Sequence, residues 1–127
     1  MSQKNKKQFG VWMDTHRATI VGRLDEEAQN FSVVGYAGDA AADNTPKEQE
    51  HYDAKTSHHK FYKEILSHMT NAEEVHVTGT GTSQEQLMHY MADTPQFKNT
   101  VTTECTSNKM SDERFAEFIA EKFNKLN

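Results

Sequence analysis

Residues 9–24 read FGVWMDTHRATIVGRL. Two runs rich in Val, Ile, Thr and aromatic side chains, Phe9 to Asp14 and Ala18 to Leu24, flank the polar set Asp14, Thr15, His16 and Arg17. Strand-forming runs this close together, joined by turn residues, predict a tight β-hairpin. Downstream, the polar stretch Asp25 to Asn30 leads into Phe31 to Tyr36, where Phe31 and Val33 share a face by the two-residue period of a strand. A third strand, antiparallel to the second, is expected there. Upstream lies the basic start MSQKNKKQ, of which residues 1–7 are expected to form a flexible tail.

Beyond the third strand the pattern changes. Gly38 to Lys55 carries many charges, breakers at Gly38 and Pro46, and no period that would bury a face. A mobile loop over 38–55 is expected, longer than most connections in a compact domain and therefore a natural place for function. Thr56 or Ser57 is placed to cap the helix that follows, on which Phe61, Ile65 and Met69 recur every four residues beside Tyr62 and Leu66. Asn71 ends it. Val75 and Val77 alternate with His76 and Thr78 in a fourth strand that stops at Gly79, and Ser83 to Gln86 fits a capping box at the start of a short helix. Thr100 to Thr106 reads as a fifth strand. Ser111, Asp112 and Glu113 open a last helix with a stripe of Phe115, Phe118, Ile119, the Lys122 stem and Leu126. The order β-β-β-α-β-α-β-α predicts one α/β domain over residues 1–127, a mixed five-stranded sheet with helices packed on it.

Composition bounds what such a domain does. The 127 residues include 14 basic and 19 acidic side chains, a formal charge of -5 that disfavours broad electrostatic attraction to DNA or to an anionic membrane. Any nucleic-acid contact must be local. The one cysteine, Cys105, cannot form an internal disulfide, and no apolar run suits a signal peptide or a membrane span, so a cytoplasmic location is expected.

The run GVWMDTHRATIVGRL, then FSVVGY, a long polar loop, the helix HHKFYKEILSHM and the segment AEEVHVTGTGTSQEQLMHYM together resemble the middle domain of archaeal and eukaryotic class I peptide-chain release factors and of Pelota. The resemblance covers about Phe9 to Thr106 and rests on the ordered set, since each motif alone is generic to α/β folds. It implies a ribonuclease H-like topology of the translational-machinery type and makes association with the ribosome or RNA the expected role, which one departure leaves without catalysis. Release factors of this family carry Gly-Gly-Gln in the loop between the third strand and the first helix. Here that loop holds Gln49 with no Gly-Gly before it, so the backbone freedom that glycines give such a tip is missing and peptidyl-tRNA hydrolysis is not expected.

Several constellations carry chemistry of their own. Asp14, at the end of the first strand, and Glu64, on the first helix, would suit a two-metal hydrolase, but no carboxylate ends the fourth strand to complete it. Asp14 would otherwise accept from turn amides. His51, Asp53, His58 and His59 stand close in sequence, yet adjacent helical histidines diverge by about 100°, so a solvated face is favoured and no metal or other cofactor is expected. Gly79, Gly81 and Ser83 join a strand to a helix start, a turn that would hold a phosphate only loosely without a following lysine. Cys105 is expected to be a small buried hydrophobe. Lys4, Lys6, Lys7, Arg17 and Arg23, with Trp12 and His16, would make a local positive edge. The residues set apart for binding are therefore Arg17, Arg23, Gln49, His51, His58, Gly79, Gly81 and Ser83. A small metal- or phosphate-dependent hydrolase and a protein-interaction scaffold stand as alternatives, and the oligomeric state is left open.

Overall fold

A computed structural model describes residues 7–14, 16–23, 31–38, 54–81 and 83–124, with 54–59 and 124 described as helix backbone only. The elements are β1 (Gln8–Met13), β2 (Arg17–Arg23), β3 (Phe31–Gly38), α1 (Ala54–Ser67), β4 (Glu74–Gly79), α2 (Ser83–Ala92), a 3-10 turn at Pro95–Phe97, β5 (Val101–Thr106) and α3 (Asp112–Asn124). The five strands form one sheet in the order β3-β2-β1-β4-β5. Strands β1 to β3 are an antiparallel meander, while β4 runs parallel to β1 and β5 parallel to β4.

The first strand therefore becomes the central one. Both of its faces are covered, which is why FGVWM is apolar throughout instead of alternating. Phe9, Val11 and Met13 join Ile20, Phe61, Ile65, Met69, Val75, Val77 and Leu87 in the core under α1 and α2. Trp12 joins Val21, Phe31, Phe115, Ile119 and Phe123 under α3 on the other face. Gly10 lies where α3 crosses, and a Cβ there would fall 2.4 Å from the Ile119 side chain. The glycine lets the helix approach the sheet.

Local sequence explains most of the element ends. Asp14 Oδ1 accepts the amides of His16 (2.8 Å) and Arg17 (2.9 Å), closing the hairpin as an Asx turn. Ser111 Oγ accepts the Arg114 amide (3.2 Å), an N-cap for α3 with Asp112 and Glu113 in the first turn. The register of β3 on β2 shifts between Ile20 and Val21, which makes Val34 the extra residue of a bulge. Val33 then faces the α3 core and Val34 the α1 core.

Some of these expectations need correction. Helix α1 begins at Ala54, so Thr56 and Ser57 lie inside it and do not cap it, and the long connection begins only after Gly38, which ends β3. Residues 39–53 of that connection, with Gln49, His51 and Asp53, lie outside the described residues, as do Lys4 and Lys6. No capping box forms with Gln86, whose Oε1 accepts the Tyr62 hydroxyl (2.9 Å). The α3 stripe holds at Phe115 and Ile119, which are buried together with Phe123, while Phe118 is half-buried against the same cluster and Leu126 lies outside the described residues. Cys105 is half-buried among polar side chains. No helix among the described residues is long and apolar enough to cross a membrane.

Candidate functional site

Strand direction gathers the chain's connections at one end of the strands, the connection edge of the sheet as distinct from its outer strands β3 and β5. Met13 pairs with Gly79 where β1 and β4 end, Gly79 with Thr106 where β5 ends, and Arg17 with Gly38 where β2 starts and β3 ends. The hairpin turn, the mouth of the long connection, the Gly79 to Ser83 turn and residues 107–109 thus emerge side by side.

Helix α1 adds to this edge. Glu64 Oε1 accepts the Gly38 amide (3.0 Å), and His68 Nε2 lies 3.1 Å from the Tyr36 carbonyl oxygen, so α1 runs antiparallel along β3. Ten residues separate Ala54 from Glu64, and at 1.5 Å per residue the start of α1 extends about 15 Å past the end of β3. The backbone of His58 falls on that projection.

The residues set apart in the sequence divide accordingly. Arg17, Gly79, Gly81, Ser83 and the backbone of His58 are at this edge. Arg23 is at the other, because six residue steps along β2 place it about 20 Å from Arg17. Its guanidinium donates from Nε (3.1 Å) and Nη2 (2.8 Å) to Gln8 Oε1 and lies over the Phe31 ring at 4.7 Å. A single patch holding both arginines does not form. Arg17 and His16 are exposed, and Lys109 lies 5.2 Å from the Trp12 ring centroid, while Trp12 Nε1 donates to the Asn108 carbonyl (3.2 Å). Trp12 is only 3% exposed, so it supports Lys109 without presenting a stacking surface.

The glycine turn is shaped by contact. A Cβ on Gly79 would lie 2.1 Å from the Met13 carbonyl oxygen, a backbone atom that cannot swing away. The Gly79 carbonyl accepts the Ser107 amide (2.7 Å) and the amide of the fully buried Gln84 (Nε2, 3.4 Å), which also reaches the Cys105 carbonyl (3.3 Å). Ser83 is buried, and Gly81 points into open space. Gly79→Ala is therefore expected to cost about 2 kcal/mol through backbone displacement, and Gly81→Ala to change stability little. Urea unfolding of the two variants checks this, and equal losses would contradict it.

A polar ladder that sequence reading missed runs along β4 and β5 on the α3 face. His76 Nδ1 is 2.7 Å from Thr103 Oγ1, and its Nε2 is 3.2 Å from Cys105 Sγ. Thr78 Oγ1 is 3.3 Å from the same sulfur and 2.7 Å from Ser107 Oγ. The period-two alternation of VHVTG and VTTECT placed these side chains on one face once β4 and β5 pair. Burial of His76, with Lys122 nearby as a smaller cause, pushes its pKa down to about 4.

The carboxylates of the hydrolase reading are both used structurally, Asp14 in the hairpin turn and Glu64 at Gly38. Among the described residues no group of three or more His, Cys, Asp or Glu is arranged to hold a metal ion.

No protein-family model matches the chain, and no curated protein matches it. Solved structures do. The Thermoplasma acidophilum Pelota protein matches over 93% of this chain with a TM-score of 0.55 and 15% identity, and Archaeoglobus fulgidus Pelota over 96% with a TM-score of 0.55 and 11% identity. An archaeal translation termination factor, aRF1, matches over 91% with a TM-score of 0.55 and 13% identity. This chain spans about a third of each, 32%, 35% and 34% of their lengths. At such identities the likeness is one of fold: the mixed five-stranded sheet with three helices found here is the fold of one domain of Pelota and of the archaeal termination factor.

Proposed function

We propose that this chain is a non-catalytic domain of the translational-machinery type that associates with the ribosome through RNA phosphates. The observation that carries the reading is the fold shared with an archaeal translation termination factor over 91% of the chain, in a sequence without Gly-Gly-Gln between β3 and α1. The connection edge supplies the surface. Arg17, His16 and Lys109 stand there beside the mouth of the 39–53 connection, which fits local phosphate contact by a chain that is acidic overall. The reading places the protein in the cytoplasm and requires no cofactor.

Co-sedimentation with ribosomes at low and high salt tests it. Binding should weaken steeply as salt rises, and removing one phosphate contact with Arg17→Glu should lower the slope of log affinity against log salt by about 1. Arg23→Glu, at the opposite edge, should leave that slope unchanged. Absence of pelleting at low salt, or equal effects of the two substitutions, would overturn the proposal. Purified protein should also release no peptide from peptidyl-tRNA on programmed ribosomes.

A further inference from the structure

The two outer edges of the sheet are treated differently. On β3 a bulge at Val34 breaks the regular edge, His68 Nε2 meets the Tyr36 carbonyl, and Glu64 meets the Gly38 amide. These devices blunt an edge against further pairing. Strand β5, reading VTTECT, has no Pro, no Lys and no bulge. The Val101 amide donates to Glu73 (3.0 Å) and the Ser107 amide to Gly79 (2.7 Å), so odd-numbered residues turn their backbone groups toward β4. Thr102, Glu104 and Thr106 then turn theirs outward, where no described element pairs with them. Val101, on the same strand, is 56% exposed, one of two large hydrophobic side chains left open among the described residues.

We propose that β5 pairs antiparallel with β5 of a second copy of this chain, centred on Thr103, to make a continuous ten-stranded sheet. Backbone parity and charge fix this register. Outward-facing residues must meet outward-facing residues, which restricts the twofold axis to pass beside a whole residue, and only Thr103 and Glu104 lie near the middle of the strand. Centring on Glu104 would set two carboxylates directly opposite each other, which is unfavourable. Centring on Thr103 sets Thr102 opposite Glu104 of the second copy, and the reverse. These two hydrogen-bonded pairs supply four N–H to O=C bonds. Thr103 meets Thr103, and Val101 meets Cys105 of the second copy, in non-hydrogen-bonded pairs. The exposed valine is covered by the thiol-bearing strand of the other copy. Because the contact is isologous and the β3 edge is blunted, association closes at the dimer.

Sedimentation equilibrium of the full chain across the micromolar range tests the proposal, with self-association expected. Glu104→Pro removes an outward amide and no bond to β4, so it should raise the dimer dissociation constant at least about tenfold, while the thermal stability of the monomer, measured at concentrations below that constant, stays unchanged. Val101→Cys tests the register independently. Its thiol would lie opposite Cys105 of the second copy, with Cα atoms about 4.5 Å apart, within disulfide reach. Mild oxidation should link the two copies of this variant. The wild type, whose two Cys105 residues would be about 13 Å apart along the strands, should not cross-link. A monomer at all concentrations, a dimer unaffected by Glu104→Pro, or cross-linking of the wild type through Cys105 would each overturn the proposal.

Discussion

Phe115→Ala is expected to lower the unfolding free energy by about 3–5 kcal/mol, a large part of the roughly 5–15 kcal/mol typical of a domain. The ring is 1% exposed and belongs to the smaller of the two cores, where α3 alone covers the sheet face over Trp12, Val21 and Phe31. No second helix among the described elements packs on that face to close over the cavity. Phe118→Ala, one turn on, should cost less than half as much, because its ring is only half-buried at the margin of the same cluster, beside His76 (centroids 6.2 Å) and the Lys122 ammonium (5.8 Å). Urea denaturation of both variants at neutral pH provides the measurement. Equal losses would show that the helix is rotated from the placement described.

Acid should weaken the fold by about 3 kcal/mol through His76 alone. The folded imidazole is pushed from its ordinary 6.5 down to about 4, first by burial and then by Lys122. Between those values the unfolded chain binds a proton that the folded chain refuses, so stability is full above pH 6.5 and is lost as pH falls toward 4. Below that both states carry the proton and this loss is complete. The groups around the ring offer no compensating charge: Thr103 and Cys105 from β5, Thr78 on β4, and Phe118 with cationic Lys122 on α3. The difference in urea midpoint between pH 7 and pH 4.5 should shrink markedly in His76→Gln relative to wild type. An unchanged difference would assign the acid sensitivity to carboxylates elsewhere.

What was legible in the sequence depended on whether a pattern is set locally. The hairpin, the three-strand meander and the alternation of βα units follow from turn residues and period-two runs, and the observed strand order obeys them. Asp14 was readable as a turn acceptor because an Asx turn involves only its own next few residues. Choices among equivalent rows were not readable. Phe118 and Phe123 flank the same helix face, and only the close approach of α3 at Gly10 selects the row Phe115, Ile119 and Phe123. Gln86 has the right spacing for a cap, but the Tyr62 hydroxyl on a different helix claims it. Arg17 and Arg23 look like neighbours in a list of basic residues, and the extension of a strand separates them. The His76 and Cys105 contact joins residues 29 apart and depended on knowing which strands pair.

The placement of β1 also sets an order of assembly during synthesis. One side of this strand is met by β2 after a turn of a few residues, whereas the other waits for β4, with Gln8 and Glu74 66 positions apart. On loop-closure entropy, four doublings of length make the second contact harder to form by about 2.4 kcal/mol. A nascent chain can therefore complete the meander while the apolar strand Phe9 to Met13 still has an open flank, until residues 74–79 leave the ribosome. Fragments ending before Glu74 would keep that flank permanently and should aggregate, so the first half of this molecule depends for its solubility on a strand that is made last but one.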